Sequence, residues 1–372
     1  MNSIAACLIV RDEENSLRTC LASVEGQVDA IYITDTGSKD ATLEVAASHK
    51  ANVRFFPWVD DFAAARNASL EGISEDWVLM LDADDYFAAG EMAKLRPQLD
   101  PKASAATVRY TVVSHYTPVR AIRLLRNGQG ATYRGRIHEN LDDWIAERRA
   151  AGGSLQDLDV ELTHTGYAPE AMPAKVARNL ALLRSEWQAG FAPGAAERKY
   201  YIGAELGLAL AHSGQFEEAH GFLETLLQEV NDSESEYLPP AALRVLVNLL
   251  WTLAMAGRNA ARLPTIQAVE GRFAHSRVYQ LHRGLVELEF QYFTAARLWL
   301  ESFREALGKK EIEIPVPVQY TRAGLWRALG LCHMGEQDFP AAAACFERCR
   351  DMEPDVEEHQ LRLLVAKRMM NP

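Results

Sequence analysis

The sequence is poor in cysteine and has no C-x-x-C pair. Five cysteines among 372 residues are too few for a disulfide framework, and their spacing does not match a zinc knuckle. Both absences favour a chain that folds in a reducing compartment. We therefore expect a cytoplasmic protein.

Basic residues are also scarce relative to acidic ones. Lysine and arginine number 39 against 51 aspartates and glutamates, which gives a formal net charge of −12. Binding to the phosphate backbone of nucleic acids usually depends on a basic surface. We therefore expect no nucleic-acid partner.

Long apolar runs are missing as well. The first apolar stretch, residues 4–10, has seven residues and leads directly into the charged sequence RDEE, which is unlike a signal peptide. A later stretch, residues 245–256, is interrupted by Asn248 and Thr252 and is shorter than the roughly 20 residues that span a bilayer. The sequence predicts no membrane span.

The composition is that of an ordinary globular protein, with 48% hydrophobic and 24% charged residues. The first half of the chain alternates short strand-type runs with helix-type segments, which predicts an α/β domain with a largely parallel sheet. The predicted strands are 4–10, 30–34, 52–57 and 77–81, and the predicted helices are 16–24, 41–50 and 63–72.

The pattern then changes twice. Four further runs are predicted as antiparallel or edge strands that complete the same domain, at residues 107–114, 120–126, 133–137 and 160–164. After these runs the sequence is almost continuously helical. We therefore expect an α/β domain at residues 1–172 and an all-α domain at residues 173–372.

The helical half contains a repeated pattern: an aromatic residue, a small residue three positions on, and apolar residues four and then three positions further. It begins at Phe216, Phe293 and Phe339. This spacing is typical of the second helix of a tetratricopeptide repeat, in which the small residue lets paired helices approach closely. A helical solenoid is predicted, with a generic helical bundle as the alternative.

A cluster of acids follows the predicted strand 77–81. Asp82, Asp84 and Asp85 are separated only by Ala83, and like charges this close raise one another's pKa. A divalent cation held by oxygen ligands commonly stabilises such a cluster. Ligands of open α/β sheets gather beyond the carboxyl ends of the strands, where this cluster falls.

Two weaker signals follow neighbouring elements. Asp35 ends the predicted strand 30–34 and is followed by Gly37 and Ser38, a turn whose backbone donors suit an anion. Arg66 and Asn67 lie in the predicted helix 63–72, where Arg66 could pair with a diphosphate or with Asp82. The alternative interpretation is that Arg66 forms an ordinary salt bridge at the protein surface.

Taken together, these motifs resemble the family 2 glycosyltransferases of the GT-A fold. The resemblance is carried by CLIVRDE at 7–13, DTGSKD at 35–40, DDF at 60–62 with ARN at 65–67, and DADD at 82–85. It narrows to a bacterial subgroup with C-terminal tetratricopeptide repeats that includes peptide S-glycosyltransferases of the sublancin type. That step depends on GRIHE at 135–139, HTGY at 164–167, Lys175 and RNL at 178–180.

The resemblance implies a Rossmann-like mixed sheet and transfer of a sugar from a nucleotide-diphosphate sugar, most simply a UDP-sugar. It implies that the metal, Mn²⁺ or Mg²⁺, binds at Asp84, and that His164 is either a second metal ligand or a structural residue. The donor site that it implies comprises Val10, Arg11, Glu13, Asp35, Gly37, Ser38, Arg66, Asn67, Asp82 and Ala83. One departure is RDE at 11–13, where the family more often has Lys-Asn-Glu.

An inverting transfer also needs a general base. Glu139 is the candidate, with His138 and Asp85 as alternatives, and Glu139 could equally be an ordinary acid at a helix start.

The repeats suggest a peptide or protein acceptor or partner, because such arrays present concave surfaces to extended peptides. Two alternatives stay open. One is transfer to a saccharide or lipid-linked saccharide in envelope polysaccharide synthesis, with the repeats serving a homo-oligomer. The other is a catalytically silent repeat scaffold.

Overall fold

The structure is a computed structural model that describes residues 2–112, 118–166, 172–235, 237–307, 314–316 and 318–370. The chain divides into two compact units, Met1–Glu186 and Trp187–Pro372. The predicted domain boundary at 172/173 coincides with the start of helix α6 (Met172–Ala189), and the two units divide within this helix.

The first unit is built on an eight-stranded mixed sheet in the order β3-β2-β1-β4-β7-β6-β8-β5. Its strands are β1 (Ile4–Val10), β2 (Ala30–Asp35), β3 (Asn52–Phe55), β4 (Trp77–Leu81), β5 (Asp85–Tyr86), β6 (Ala103–Val112), β7 (Val119–Arg126) and β8 (Ser154–His164). Its first five helices are α1 (Glu14–Val24), α2 (Thr42–Ser48), α3 (Phe62–Ser69), α4 (Glu91–Gln98) and α5 (Asp142–Ala150).

Strands β1 to β4 form the parallel part of the sheet. β1 pairs in parallel with both β2 and β4, and β2 pairs with β3. β1 and β4 are continuous apolar runs that are almost wholly buried, as expected for strands covered on both faces. Their carboxyl ends, with that of β2, therefore open at one edge of the sheet.

The remaining strands close the domain as predicted, with one exception. β7 runs antiparallel to β4 and β6, and β8 runs parallel to β6 and antiparallel to β5. The predicted strand 133–137 is wrong, because it is reduced to a single bridge between Arg134 and Asn140. Left-handed backbone at Gly135 and His138 interrupts any extended run there. Residues 113 and 114 of the predicted strand 107–114 lie outside the described residues.

The second unit consists of helices. They are α7 (Ala196–His212), α8 (Phe216–Asp232), α9 (Pro240–Met255), α10 (Arg262–Ala268), α11 (Glu270–Phe273), α12 (Arg277–Glu289), α13 (Phe293–Ala306), α14 (Ala323–Gly335), α15 (Phe339–Met352) and α16 (Glu357–Met370), with short 3-10 turns at Asn259–Ala261 and Val318–Thr321.

The predicted repeats correspond to the helix pairs α7–α8, α12–α13 and α14–α15. The small residue of each pattern, Ala219, Ala296 or Ala342, is fully buried. The partner helix places a glycine opposite each pattern, and a Cβ on Gly207, Gly284 or Gly330 would lie within 2.7 Å of a side chain of the second helix. The tetratricopeptide-like pairing is therefore confirmed by the close contact that the small residues allow.

No helix among the described residues is both long and apolar enough to cross a bilayer.

Candidate active site

The candidate site is a cavity of about 340 Å³ in the first unit. It opens where β1 and β4 end and where the chain leaves β2, so Val10, Arg11, Thr36, Asp82 and Asp84 all reach its wall. This is the position at which an open α/β sheet usually binds ligands.

Asp82 is held between two arginines. Arg66 of α3 donates from Nη2 to Asp82 Oδ1, and Arg123 of β7 donates from Nη2 to Asp82 Oδ2 at 3.1 Å. Burial alone would raise the pKa of Asp82, but the two guanidinium groups lower it below its usual value. Asp82 is therefore an ionised carboxylate in a fixed position.

Arg66 connects three elements of the site. Its side chain is only 7% exposed, and besides Asp82 it donates from Nε to Glu139 Oε1 at 3.0 Å and from Nη1 to the carbonyl of Leu81 at 3.3 Å. The alternative interpretation of Arg66, a salt bridge at the protein surface, is wrong, because helix α3 directs this side chain inward.

Asp85 points away from the cavity. Its carboxylate is fully buried and accepts from the hydroxyl of Tyr110 at 3.0 Å and from the backbone N–H of Asp82 at 2.9 Å. Nδ1 of His164 lies 2.9 Å away, and Nη1 of Arg123 lies 3.7 Å away. A carboxylate so fully occupied cannot reach an acceptor without breaking these contacts, which argues against Asp85 as the general base.

Asp84 and His164 both line the cavity. In the described part of the chain, the Asp84 carboxylate makes one side-chain contact, to His164 Nδ1 at 3.3 Å. Burial raises the pKa of Asp84, and the charges of Asp82 and Asp85 raise it further. Burial lowers the pKa of His164, but the hydrogen bond that its ring forms to the Asp85 carboxylate and the charge of Asp84 more than offset this, so the net shift is upward.

The carboxylate and imidazole groups gathered here are potential ligands of a divalent cation. Ligand atoms of Asp82, Asp85 and His164 lie within 4.8 Å of one another. However, arginines already contact both Asp82 and Asp85, whereas Asp84 faces the cavity and contacts His164 rather than an arginine. Carboxylate oxygens match Mn²⁺ or Mg²⁺, and of these two cations Mn²⁺ is the one that accepts an imidazole nitrogen more readily. The chemistry of the donor set thus fits a cation at Asp84 and His164.

The chain brings His164 to this place by strand pairing. Strand β5 begins at Asp85, which is the register partner of His164 in β8. Thr165 then donates from both N–H and Oγ1 to the carbonyl of Asp84. Gly166 packs against the imidazole ring so closely that a Cβ there would lie 2.4 Å from Nε2. Tyr167, the last residue of that motif, lies outside the described residues.

The residues predicted to bind the nucleotide-sugar donor lie in different environments. Val10, Arg11, Glu13, Arg66, Asp82 and Ala83 line the cavity. Asp35, by contrast, accepts hydrogen bonds from the backbone N–H groups of Gly37 and Ser38, both at 3.1 Å, and Ser38 Oγ accepts from Asp12 N–H. These bonds fix the loop after β2 against the loop after β1.

Asn67 has a different environment from its neighbour Arg66. Its side-chain amide forms a pair of hydrogen bonds with the backbone of Tyr133, at 3.0 Å and 2.8 Å. This pairing takes up the backbone groups that a strand at 133–137 would have used. Asn67 therefore fixes the segment that leads to His138 and Glu139, and both of those residues line the cavity.

Several residues at the site were not predicted from the sequence. Arg123 and Tyr110 come from the sheet, and the Arg123 guanidinium lies 4.4 Å from the centre of the Tyr110 ring. Helix α6 adds Lys175, Arg178 and Asn179 to the cavity wall. No local pattern in β7, whose sequence VRAIRLLR does not alternate, indicates that Arg123 faces inward or identifies its partners.

Comparison with known proteins places these residues in a family. Residues 6–149 match the family model described as Glycosyl transferase family 2. The chain is 40% identical over 146 residues to a TPR repeat-containing protein of Synechococcus elongatus, covering 38% of this chain and 36% of the relative. It is 26% identical over 195 residues to the SPbeta prophage-derived glycosyltransferase SunS of Bacillus subtilis, covering 48% and 44%. The chain thus spans less than half the length of either relative.

A solved structure of glucosyl-3-phosphoglycerate synthase from Mycobacterium tuberculosis, in complex with Mn²⁺, UDP and phosphoglyceric acid, aligns with a TM-score of 0.38 at 15% identity. The alignment covers 52% of this chain and 80% of that one. So distant a likeness says nothing about substrate or metal. The family match spans β1 to α5 and includes all three acids of the cluster. Residues 6–149 therefore match glycosyl transferase family 2 and lie in a GT-A-like mixed-sheet unit, which precedes a tetratricopeptide-like helical region.

Proposed function

We propose that the chain transfers a sugar from a UDP-sugar to a peptide or protein acceptor, with inversion at the anomeric carbon and with dependence on a divalent cation. The observation that supports this most is the joint placement of Asp84, His164 and Glu139 on one cavity of the first unit. The donor's nucleoside is assigned to the wall formed by Val10 and Glu13, next to Arg11.

Asp84 and His164 would hold Mn²⁺ or Mg²⁺, which supplies Lewis-acid stabilisation of the charge that develops on the departing diphosphate. Asp82, fixed by Arg66 and Arg123, faces the same cavity as an ionised carboxylate and is assigned to hydroxyl groups of the ribose or donor sugar. Because its position is fixed before a ligand arrives, binding requires little reorganisation at this point.

Glu139 is assigned as the general base. Its carboxylate is 14% exposed, and the hydrogen bond from Arg66 Nε holds it in the cavity. In the proposed step the acceptor's O–H or S–H proton passes to Glu139, the acceptor atom bonds to the anomeric carbon, and the bond from that carbon to the diphosphate oxygen breaks. The products are the glycosylated acceptor and UDP.

The acceptor assignment depends on the helical unit. Its tetratricopeptide-like helix pairs belong to a class of arrays that bind extended peptides. A cytoplasmic location is proposed from the cysteines, since all five are buried and unpaired.

The activity is tested by incubating the full chain with UDP-, GDP- and CDP-sugars, Mn²⁺ and a peptide library, and by measuring nucleotide release and peptide mass. We expect UDP release from one donor, with a matching mass increase on a subset of peptides. Release that increases with a saccharide acceptor instead of peptides would overturn the acceptor assignment. No release from any donor would contradict the proposed activity.

The Glu139→Gln variant tests the assignment of the base. Glutamine can still accept the bond from Arg66 but cannot take a proton, so we expect kcat to fall about 100- to 10,000-fold while the Kd for UDP is nearly unchanged. Glu147→Gln is a matched control, since Glu147 is exposed on α5 and does not line the cavity. Loss of UDP affinity in step with kcat would place Glu139 in the donor pocket instead.

A further inference from the structure

Helix α6 lies outside the segment that matches the family, which ends at residue 149. Its first turns nevertheless contribute Lys175, Arg178 and Asn179 to the wall of the cavity. The cavity is therefore completed by a part of the chain that the family domain does not include.

Arg178 is a cation on the cavity wall, where the charge of Glu13 acts on it. Its guanidinium lies 5.3 Å from the centre of the Phe62 ring, and its Nε and Nη2 donate to the side-chain oxygen of Asn179 at 3.3 Å and 3.1 Å. Among the described residues it forms no ion pair. The ring offers a cation–π contact, and the amide oxygen that the guanidinium contacts is neutral.

A second guanidinium shares this wall. Arg11 lines the cavity, and its ion pair with Asp12 is long, at 3.9 Å, and exposed. Burial lowers the pKa of Arg178 and the positive charge of Arg11 lowers it further, whereas the charge of Glu13 raises it, so the two cations repel each other and Glu13 offsets part of the effect. An anion bound between them would relieve this repulsion.

Lys175 extends the positive wall toward the acid cluster. It lies one helical turn before Arg178, and its Nζ donates to the carbonyl of Gly166 at 3.3 Å, next to His164. Its charge acts on both Glu13 and Asp84. The positive groups thus extend from the proposed cation position at Asp84 to the loop at Arg11.

A ligand that suits this arrangement needs several anionic oxygens in a row. A diphosphate provides them, and arginine presents fixed N–H donors that match phosphate oxygens. A single carboxylate would contact only part of the wall.

We propose that α6 completes the donor site, with Arg178, Arg11 and Lys175 receiving the diphosphate of the nucleoside-diphosphate donor. This inference depends on the proposed function, because it assigns the donor to this cavity. It adds that the family domain alone forms an incomplete site, and that donor affinity depends on a helix beyond it.

The test compares the binding of UDP and UMP to the full chain by calorimetry in the presence of Mn²⁺. We expect Arg178→Met to weaken UDP binding about 10- to 100-fold, as loss of a charge-assisted contact does, and to weaken UMP binding much less. Arg178→Lys keeps the charge but loses the planar set of N–H donors. Its affinity for UDP is expected to lie between those of the native chain and Arg178→Met. Arg18→Met is the matched control, because Arg18 is exposed on α1 and does not line the cavity.

The outcomes separate the inference from the function on which it depends. If the native chain binds UDP and Arg178→Met binds it equally well, the inference is overturned and the proposed function stands. If Arg178→Met weakens only the binding of an acidic peptide, the wall serves the acceptor and the inference is again overturned. If the native chain binds no nucleotide, the proposed function fails and the inference fails with it. Circular dichroism of each variant shows whether the fold is intact.

Discussion

Replacing Asp84 by asparagine is expected to reduce turnover about 1,000-fold or more while leaving the protein folded. Asparagine keeps the volume of the side chain but removes the charge that faces the cavity, and with it a ligand for the cation that would stabilise the leaving diphosphate. The free energy of unfolding should be unchanged or slightly higher, because burial and the charges of Asp82 and Asp85 already disfavour an ionised Asp84.

Initial rates of UDP release, together with thermal unfolding of both proteins, measure this effect. Asp143→Asn is a suitable control: Asp143 pairs with Arg134 on the surface, where both side chains are about two-thirds exposed. It should retain native activity. An Asp84→Asn protein with full activity would show that the cation, if one binds, is held by other residues.

Replacing Arg123 by methionine is expected to have the largest effect on stability, a loss of about 3–5 kcal/mol in the free energy of unfolding. Arg123 is 12% exposed and lies within ion-pair distance of both Asp82 and Asp85. Without it, the fully buried Asp85 carboxylate would lose its nearest guanidinium. Removing one member of a buried ion pair is costly because the remaining charge stays away from water.

Urea unfolding of the full chain, followed at the transition of the first unit, measures this loss. Arg109→Met provides the contrast, because Arg109 also faces two acids, Asp159 and Glu161, but is 48% exposed, and exposed pairs contribute only about 0–1 kcal/mol. Combining Arg123→Met with Asp85→Asn should recover part of the loss, since no buried charge is then left unpaired. Equal losses for Arg123→Met and Arg109→Met would contradict the assigned environment.

Much of the fold could be predicted because its signals are local. The bounds of β1 and β4 agree with the prediction, since continuous apolar runs bordered by polar or charged residues leave little choice of strand ends. The repeat pattern identified α8, α13 and α15 because the small residue marks the closest approach of two helices. The predicted strand at 133–137 is wrong because of a residue distant in sequence. The side chain of Asn67 forms hydrogen bonds with the backbone N–H and carbonyl of Tyr133, which a strand would have used.

The site was less predictable because its contacts cross the chain. The sequence places four residues, Asp82 to Asp85, at a strand end, but it does not show that Asp85 turns inward to Tyr110 while Asp84 faces the cavity. Nor does it show that Arg123, 41 residues away, fixes Asp82. The pairing of β5 with β8 brings His164 to the acids, and no local periodicity encodes that register.

The central claim is that this cavity binds a nucleoside diphosphate with the help of a divalent cation at Asp84. The most direct measurement is the thermal shift produced by UDP with and without Mn²⁺, on the native chain and on Asp84→Asn. At about 100 times its dissociation constant, a ligand adds roughly 2.7 kcal/mol to the stability of the unit that binds it. We predict an increase of several degrees with UDP and Mn²⁺ together for the native chain, and little or none for Asp84→Asn. An equal shift in both proteins, or no shift with any nucleoside diphosphate, would contradict the claim.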